Sequence, residues 1–234
     1  MTTFTEILRN KADQIWQANL HHPFVEGIAS GALPLENFKF YVLQDSYYLS
    51  HFAKVQALAG SRAEDLYTTS RMASHALGTS EAELALHEKF IKQLQITDDE
   101  LANFQPAPTA YHYTSHLYRV GESGTLGEII AAILPCYWIY HEIGEKYKGS
   151  TPSEPIFQEW IGTYGDEWFA DLVHEQINRL DLLAEKASDS ERNKMTAHFL
   201  LSCQYEYLFW EMAYKMEQWP FDSKSEKQVV KGEF

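Results

Sequence analysis

The sequence predicts an all-α, multi-helix bundle folded as a single domain. Apolar residues recur at three- and four-residue spacing in nearly every long segment, as one buried helix face requires. No segment shows the polar/apolar alternation of a half-buried strand. A length of 234 residues suits one large core. Residues 1–220 are expected to form that domain, and 221–234 a polar C-terminal tail without fixed structure.

The elements follow in order. Phe4, Ile7, Leu8, Ala12, Ile15, Trp16 and Leu20 make one stripe, predicting a first helix that ends near residues 21–23. Pro34 and Glu36 open a second, carrying Phe38, Tyr41, Val42, Asp45, Tyr48, Leu49, Phe52 and Val55 on one face. Two helices are expected over 62–77 and 80–95, broken at Gly78-Thr79 with Ser80 as cap. A turn or short helix covers 97–108, and a helix covers 109–120. The spaced glycines 121, 124 and 127 match neither a dinucleotide fingerprint nor a Walker loop and read as a turn into the next helix. That helix, 125–147, is strongly apolar and contains Pro135. Residues 152–155 are a loop, and helices over about 154–163, 166–186 and 190–218 complete the chain.

Composition excludes several functions. The net charge is −14 and no basic cluster offsets it, which argues against a nucleic-acid partner. Two cysteines, Cys136 and Cys203, cannot build a disulfide framework or a four-thiolate zinc site. The N-terminus lacks a signal-peptide apolar region, and no apolar run reaches membrane-spanning length. A cytoplasmic protein with no membrane partner is the expectation. The His-Glu pairs at 87, 141 and 174 lack the second histidine of a zinc-protease helix. No Glu stands three residues before a histidine, so the di-iron pattern is missing too. Asp171 before His174 is the nearest half-motif, and nothing in the spacing selects His21 or His22 as a haem ligand. No metal site or cofactor is expected.

Polar residues on apolar stripes carry the chemical signal. Asp45 lies on such a stripe, either in a functional role or satisfied by a tyrosine hydroxyl or a backbone donor. Glu206 sits at the centre of the face Met195, Phe199, Ser202, Phe209, Ala213 and Met216. Desolvation would raise its pKa and suit it to donate a proton, unless a basic or histidine side chain pairs with it. Cys136 follows Pro135, a helix-kinking residue, and is either a nucleophile aimed into a cavity or a small inert hydrophobe. With 14 Tyr, 13 Phe and 6 Trp for walls, this set suits covalent addition to a flat, electron-poor heterocycle. It suits equally a site that holds a cationic ligand without reaction.

Four strings sharpen this reading. FYVLQDSYYLSHFAKV (40–55), AAILPCYWIYHEIG (131–144), WIGTYGDEWF (160–169) and YEYLFWEMAY (205–214) together closely resemble the TenA family, also called thiaminase II. The resemblance runs from the first helix to Pro220. It implies a haem-oxygenase-like fold without haem, a homotetramer, and hydrolysis of aminopyrimidines such as 4-amino-5-aminomethyl-2-methylpyrimidine, with thiamin as a further substrate of some members. It also implies roles: Cys136 as nucleophile, Glu206 as proton donor, Asp45 gripping the ring's amino and nitrogen edge, and Tyr48 raising the cysteine's nucleophilicity. Tyr140, Tyr164 and Tyr113 correspond to substrate-pocket tyrosines. The alternatives are a non-catalytic pyrimidine or thiamin binder and a metal-dependent oxygenase of the same architecture.

Overall fold

A computed structural model describes residues 2–221, the side chains of 82–88 excepted. Among the described residues every regular element is a helix: α1 (Phe4–Lys11), α2 (Asp13–Leu20), α3 (Pro23–Ser30), α4 (Leu35–Ser61), α5 (Leu66–Gln93), α6 (Asp98–Ala102), α7 (Pro108–Ser123), α8 (Leu126–Tyr147), α9 (Pro155–Tyr164), α10 (Glu167–Lys186) and α11 (Asp189–Lys215). Except for Phe221, the predicted tail lies outside the described residues.

Helix α8 is the axis of the fold. Every residue from Gly127 to Pro135 is buried, because α2, α4, α7, α9, α10 and α11 all pack around it. Thr125 starts it, its hydroxyl accepting from the Glu128 N–H at 3.3 Å. Long α4 and α11 flank it, and α5 lies against α4. Aromatic side chains fill the spaces between: Trp16, Trp210, Tyr41, Tyr113 and Phe157 are among the largest fully buried residues. Each such burial contributes roughly 1.5–3 kcal/mol.

Three expectations need correction. The single first helix is two, α1 and α2, meeting at Ala12 with φ −85° and ψ −2°. The buried stripe still runs through the joint from Leu8 and Ala12 to Trp16. Helix α3 was not anticipated, although its ends carry the usual signals. His22 Nδ1 accepts from the Phe24 N–H at 3.1 Å, Pro23 occupies the first turn, and Gly31 closes the helix at φ 77°. Last, the expected break at Gly78-Thr79 is absent, for α5 runs unbroken through it. Glycine costs a helix interior about 1 kcal/mol relative to alanine, less than the roughly 1.5–3 kcal/mol gained by burying Met72 on the same helix. Ser80 caps nothing; its hydroxyl donates back to the Ala76 carbonyl at 3.0 Å.

One glycine ties the fold to the cavity described next. A Cβ at Gly144 would lie 2.3 Å from the Tyr164 carbonyl carbon and 2.4 Å from the Gly165 nitrogen, so only glycine lets α8 meet the end of α9. Gly144→Ala is expected to destabilise the protein by about 2–3 kcal/mol and to displace Tyr164. Urea unfolding and the near-ultraviolet aromatic signal measure the two effects.

Candidate active site

Helices α4, α5, α8, α9 and α10 wall a cavity of about 120 Å³. Helix α4 brings Asp45 to it, α8 brings Cys136 and Tyr140 one turn apart, and α9 brings Tyr164. Leu49, Phe52, Phe169 and Leu172 make the remaining surface largely apolar. The Tyr140 and Tyr164 rings meet edge-on, their centroids 4.7 Å apart. The Tyr140 hydroxyl hydrogen-bonds that of Tyr41 at 3.3 Å, and Trp160 Nε1 donates to the same Tyr41 oxygen. One face of the slot is thereby held rigid.

The other three predicted residues do not line this cavity. Glu206, Tyr113 and Tyr48 are buried in the core, within electrostatic reach of Cys136. The Tyr113 hydroxyl donates to Glu206 Oε1 at 2.6 Å. Among the described residues neither a basic side chain nor a histidine bonds Glu206, as the structural reading of this carboxylate had required; the partner found is a phenol. Burial raises its pKa to about 8, with the Tyr113 hydrogen bond opposing, so Glu206 carries its proton at neutral pH. The Tyr48 ring lies 4.9 Å from that of Tyr113. Its hydroxyl is fully buried, has no partner at full hydrogen-bonding geometry among the described residues, and acts on both Tyr113 and the Cys136 thiol.

Burial also pushes the Cys136 thiol well above its ordinary pKa; the Glu206 and Asp45 charges add to this, while Tyr48 acts in the opposite direction. Because Glu206 is neutral below about pH 8, its charge burdens the thiol only above that pH. At rest the site therefore holds a neutral thiol beside a neutral carboxylic acid. Asp45, expected in the interior, is instead half-buried on the cavity wall. Cys203 is fully buried on α11 and does not reach the cavity.

Sequence reading missed a second polar system on the same wall. Tyr137, next to the cysteine, accepts a hydrogen bond from Gln56 Nε2 and pairs with His75 Nδ1 at 2.9 Å. His75 Nε2 meets the Gln176 amide at 2.9 Å and Glu175 at 3.3 Å. Arg71 and Arg179 in turn hold Glu175. Their hydrogen bonds and charges outweigh its desolvation and bring its pKa to about 2. Burial lowers the pKa of His75 despite Glu175, so the imidazole is neutral at pH 7. Both His75 and Tyr137 line the cavity. The available signal was weak: His75 shares a stripe with Met72 and Thr79, but its partners lie 62 and 101 residues away. Among the described residues no three His, Cys, Asp or Glu side chains converge as a metal-ligand set. Nor is any helix among them long and apolar enough to cross a membrane.

A family model described as TENA/THI-4/PQQC matches residues 9–216. The chain belongs to this family. A relative from Bacillus subtilis (strain 168), named aminopyrimidine aminohydrolase, is 56% identical over 216 residues, covering 92% of each chain. Among solved structures, the TenA homologue protein from P. horikoshii OT3 superposes with a TM-score of 0.83 at 30% identity, over 91% of this chain and 99% of that one. A domain with a heme oxygenase-like fold from Shewanella denitrificans OS217 superposes at 0.70, at 18% identity, over 91% of this chain and 92% of that one. The TENA/THI-4/PQQC chain described here is thus haem-oxygenase-like in fold.

Proposed function

We propose that the protein is an aminopyrimidine aminohydrolase acting in thiamin salvage. It cleaves the exocyclic C–N bond of 4-amino-5-aminomethyl-2-methylpyrimidine to give the hydroxymethyl pyrimidine and ammonia. The observation that carries the chemistry is the thiol of Cys136 and the carboxylate of Asp45 facing one aromatic cavity, with the neutral acid Glu206 in the core beside the thiol. The likeness to the Bacillus subtilis protein supports the substrate class.

Each residue then has a task. Asp45 accepts hydrogen bonds from the ring's amino edge, and Tyr140 and Tyr164 hold the ring's faces. Sulfur of Cys136 bonds to a ring carbon as the thiol's proton passes to the amine that will leave, and Glu206 delivers its own proton to a ring nitrogen, so no full charge builds on the heterocycle. Tyr48, which already acts on the resting thiol, donates to the sulfur as it ionises. Tyr113 keeps Glu206 in place. Electron density returning from the ring expels ammonia from the methylene, water adds there as hydroxide and proton, and the cysteine leaves as the ring regains aromaticity. The exchange balances: one water is consumed and one ammonia released.

The same reading keeps the expectation of a cytoplasmic enzyme and takes it to be a homotetramer, as the family resemblance implies; sedimentation velocity measures the assembly. For the reaction, purified protein is incubated with the aminomethyl pyrimidine, and hydroxymethyl pyrimidine and ammonia are expected in equal amounts. Saturable binding with neither product would favour a pyrimidine-binding protein instead. Asp45→Asn is expected to raise KM about 10- to 100-fold with a smaller loss in kcat, since a charge-assisted contact made before the chemical step is removed.

A further inference from the structure

Gly78 stands in the interior of α5 with none of the reasons that place glycine elsewhere in this fold. Its backbone is not left-handed, as Gly31's is, and no neighbouring backbone presses on it, as at Gly144. A Cβ built there would meet no atom of the described residues within 4 Å. Glycine weakens a helix interior, so α5 carries a destabilising residue without a packing return. Gly162 in α9 has equally open surroundings, but it faces solvent. Gly78 lines the cavity. Its missing side chain is cavity space.

The position of that space suggests its use. Ser74, His75 and Thr79 lie beside Gly78 on the same wall, and α5 supplies none of the residues assigned to the pyrimidine ring. The group to be expelled is attached to the ring through a methylene, so it extends away from the gripped edge. We propose that the α5 wall centred on Gly78 is the leaving-group subsite, and that the absence of a side chain at 78 admits a flat heteroaromatic leaving group as well as ammonia. This rests on the hydrolase reading above. Ser74, whose hydroxyl donates to the Ser70 carbonyl at 3.0 Å, and Thr79 add uncharged oxygens to this wall, and the rings of Phe169 and the exposed Trp168 share the cavity, offering faces to a planar cation. With thiamin as substrate, the methylene C–N bond breaks with its electron pair remaining on the thiazolium nitrogen. Neutral thiazole departs, and water supplies hydroxide to the methylene and releases one proton.

Wild type, Gly78→Ala and Gly78→Leu are assayed in parallel on the aminomethyl pyrimidine and on thiamin, with thermal unfolding as the folding control. Gly78→Leu is expected to lower kcat/KM for thiamin at least tenfold more than for the aminomethyl pyrimidine. Gly78→Ala should show the same bias at about threefold, with an unchanged or raised Tm, and carries the test alone if the leucine variant does not fold. Equal losses on both substrates, no loss on thiamin, or a wild type that releases ammonia but leaves thiamin intact would each overturn the subsite. A wild type that processes neither substrate overturns the hydrolase reading itself, whatever the variants do.

Discussion

Cys136→Ser should lower product formation from the aminomethyl pyrimidine by about 10³-fold or more while leaving pyrimidine binding within a few-fold of wild type. The thiol starts neutral and is held so by burial. In the proposed mechanism its ionisation accompanies substrate arrival, with Tyr48 donating a hydrogen bond to the developing thiolate. A serine hydroxyl in the same place is far harder to deprotonate and is a weaker nucleophile. The substitution is nearly isosteric, and thermal unfolding of the variant separates lost chemistry from lost fold. Steady-state kcat, ligand binding by calorimetry, and the intact mass of wild type quenched during turnover together make the measurement. A serine variant with comparable kcat would end the covalent pathway. A corresponding Cys203→Ser change, buried on α11 away from the cavity, should leave kcat unaltered.

Glu206→Gln should lower kcat by about 10²- to 10⁴-fold, the range for loss of a positioned acid, and should also change the pH dependence of stability. The folded-state pKa of about 8 lies above the ordinary value of 4.5. Between those limits the folded protein holds a proton that the unfolded chain has released. The stability contribution of this group is therefore complete below about pH 4.5 and declines as pH rises through 8, by at most about 1.4 kcal/mol per unit. Glutamine does not titrate and still offers Tyr113 an acceptor, so the variant should lose this decline. Its urea midpoint, relative to wild type, should be higher at pH 8.5 than at pH 6. Wild-type kcat should fall above about pH 8 as the acid ionises, and a profile flat to pH 9.5 would remove Glu206 from that role.

These expectations lie unevenly with respect to the sequence. Asp45, Cys136 and Glu206 were visible because each interrupts an apolar stripe, and burying a polar group demands a reason. Periodicity also located the long helices, since the buried face repeats every 3.6 residues whatever the partner. It failed where a local signal competed with packing. Gly78 looked like a break because propensity was read without the burial that outweighs it. Helix α3 went unseen because eight residues are too few for a stripe to declare itself, though His22, Pro23 and Gly31 marked its ends.

The sequence by itself thus determined the helical class, the core faces and three chemically exposed choices of residue, all properties set by neighbours within a turn or two. The tertiary structure decided how those choices divide. Asp45, Cys136, Tyr140 and Tyr164 open on a cavity, while Tyr48, Tyr113 and Glu206 stay in the core. It also set the protonation states, a neutral thiol and a neutral acid, and revealed the Tyr137–His75–Glu175 system. Desolvation and hydrogen bonding between residues dozens of positions apart depend on which helices pack together. No local pattern carries that information.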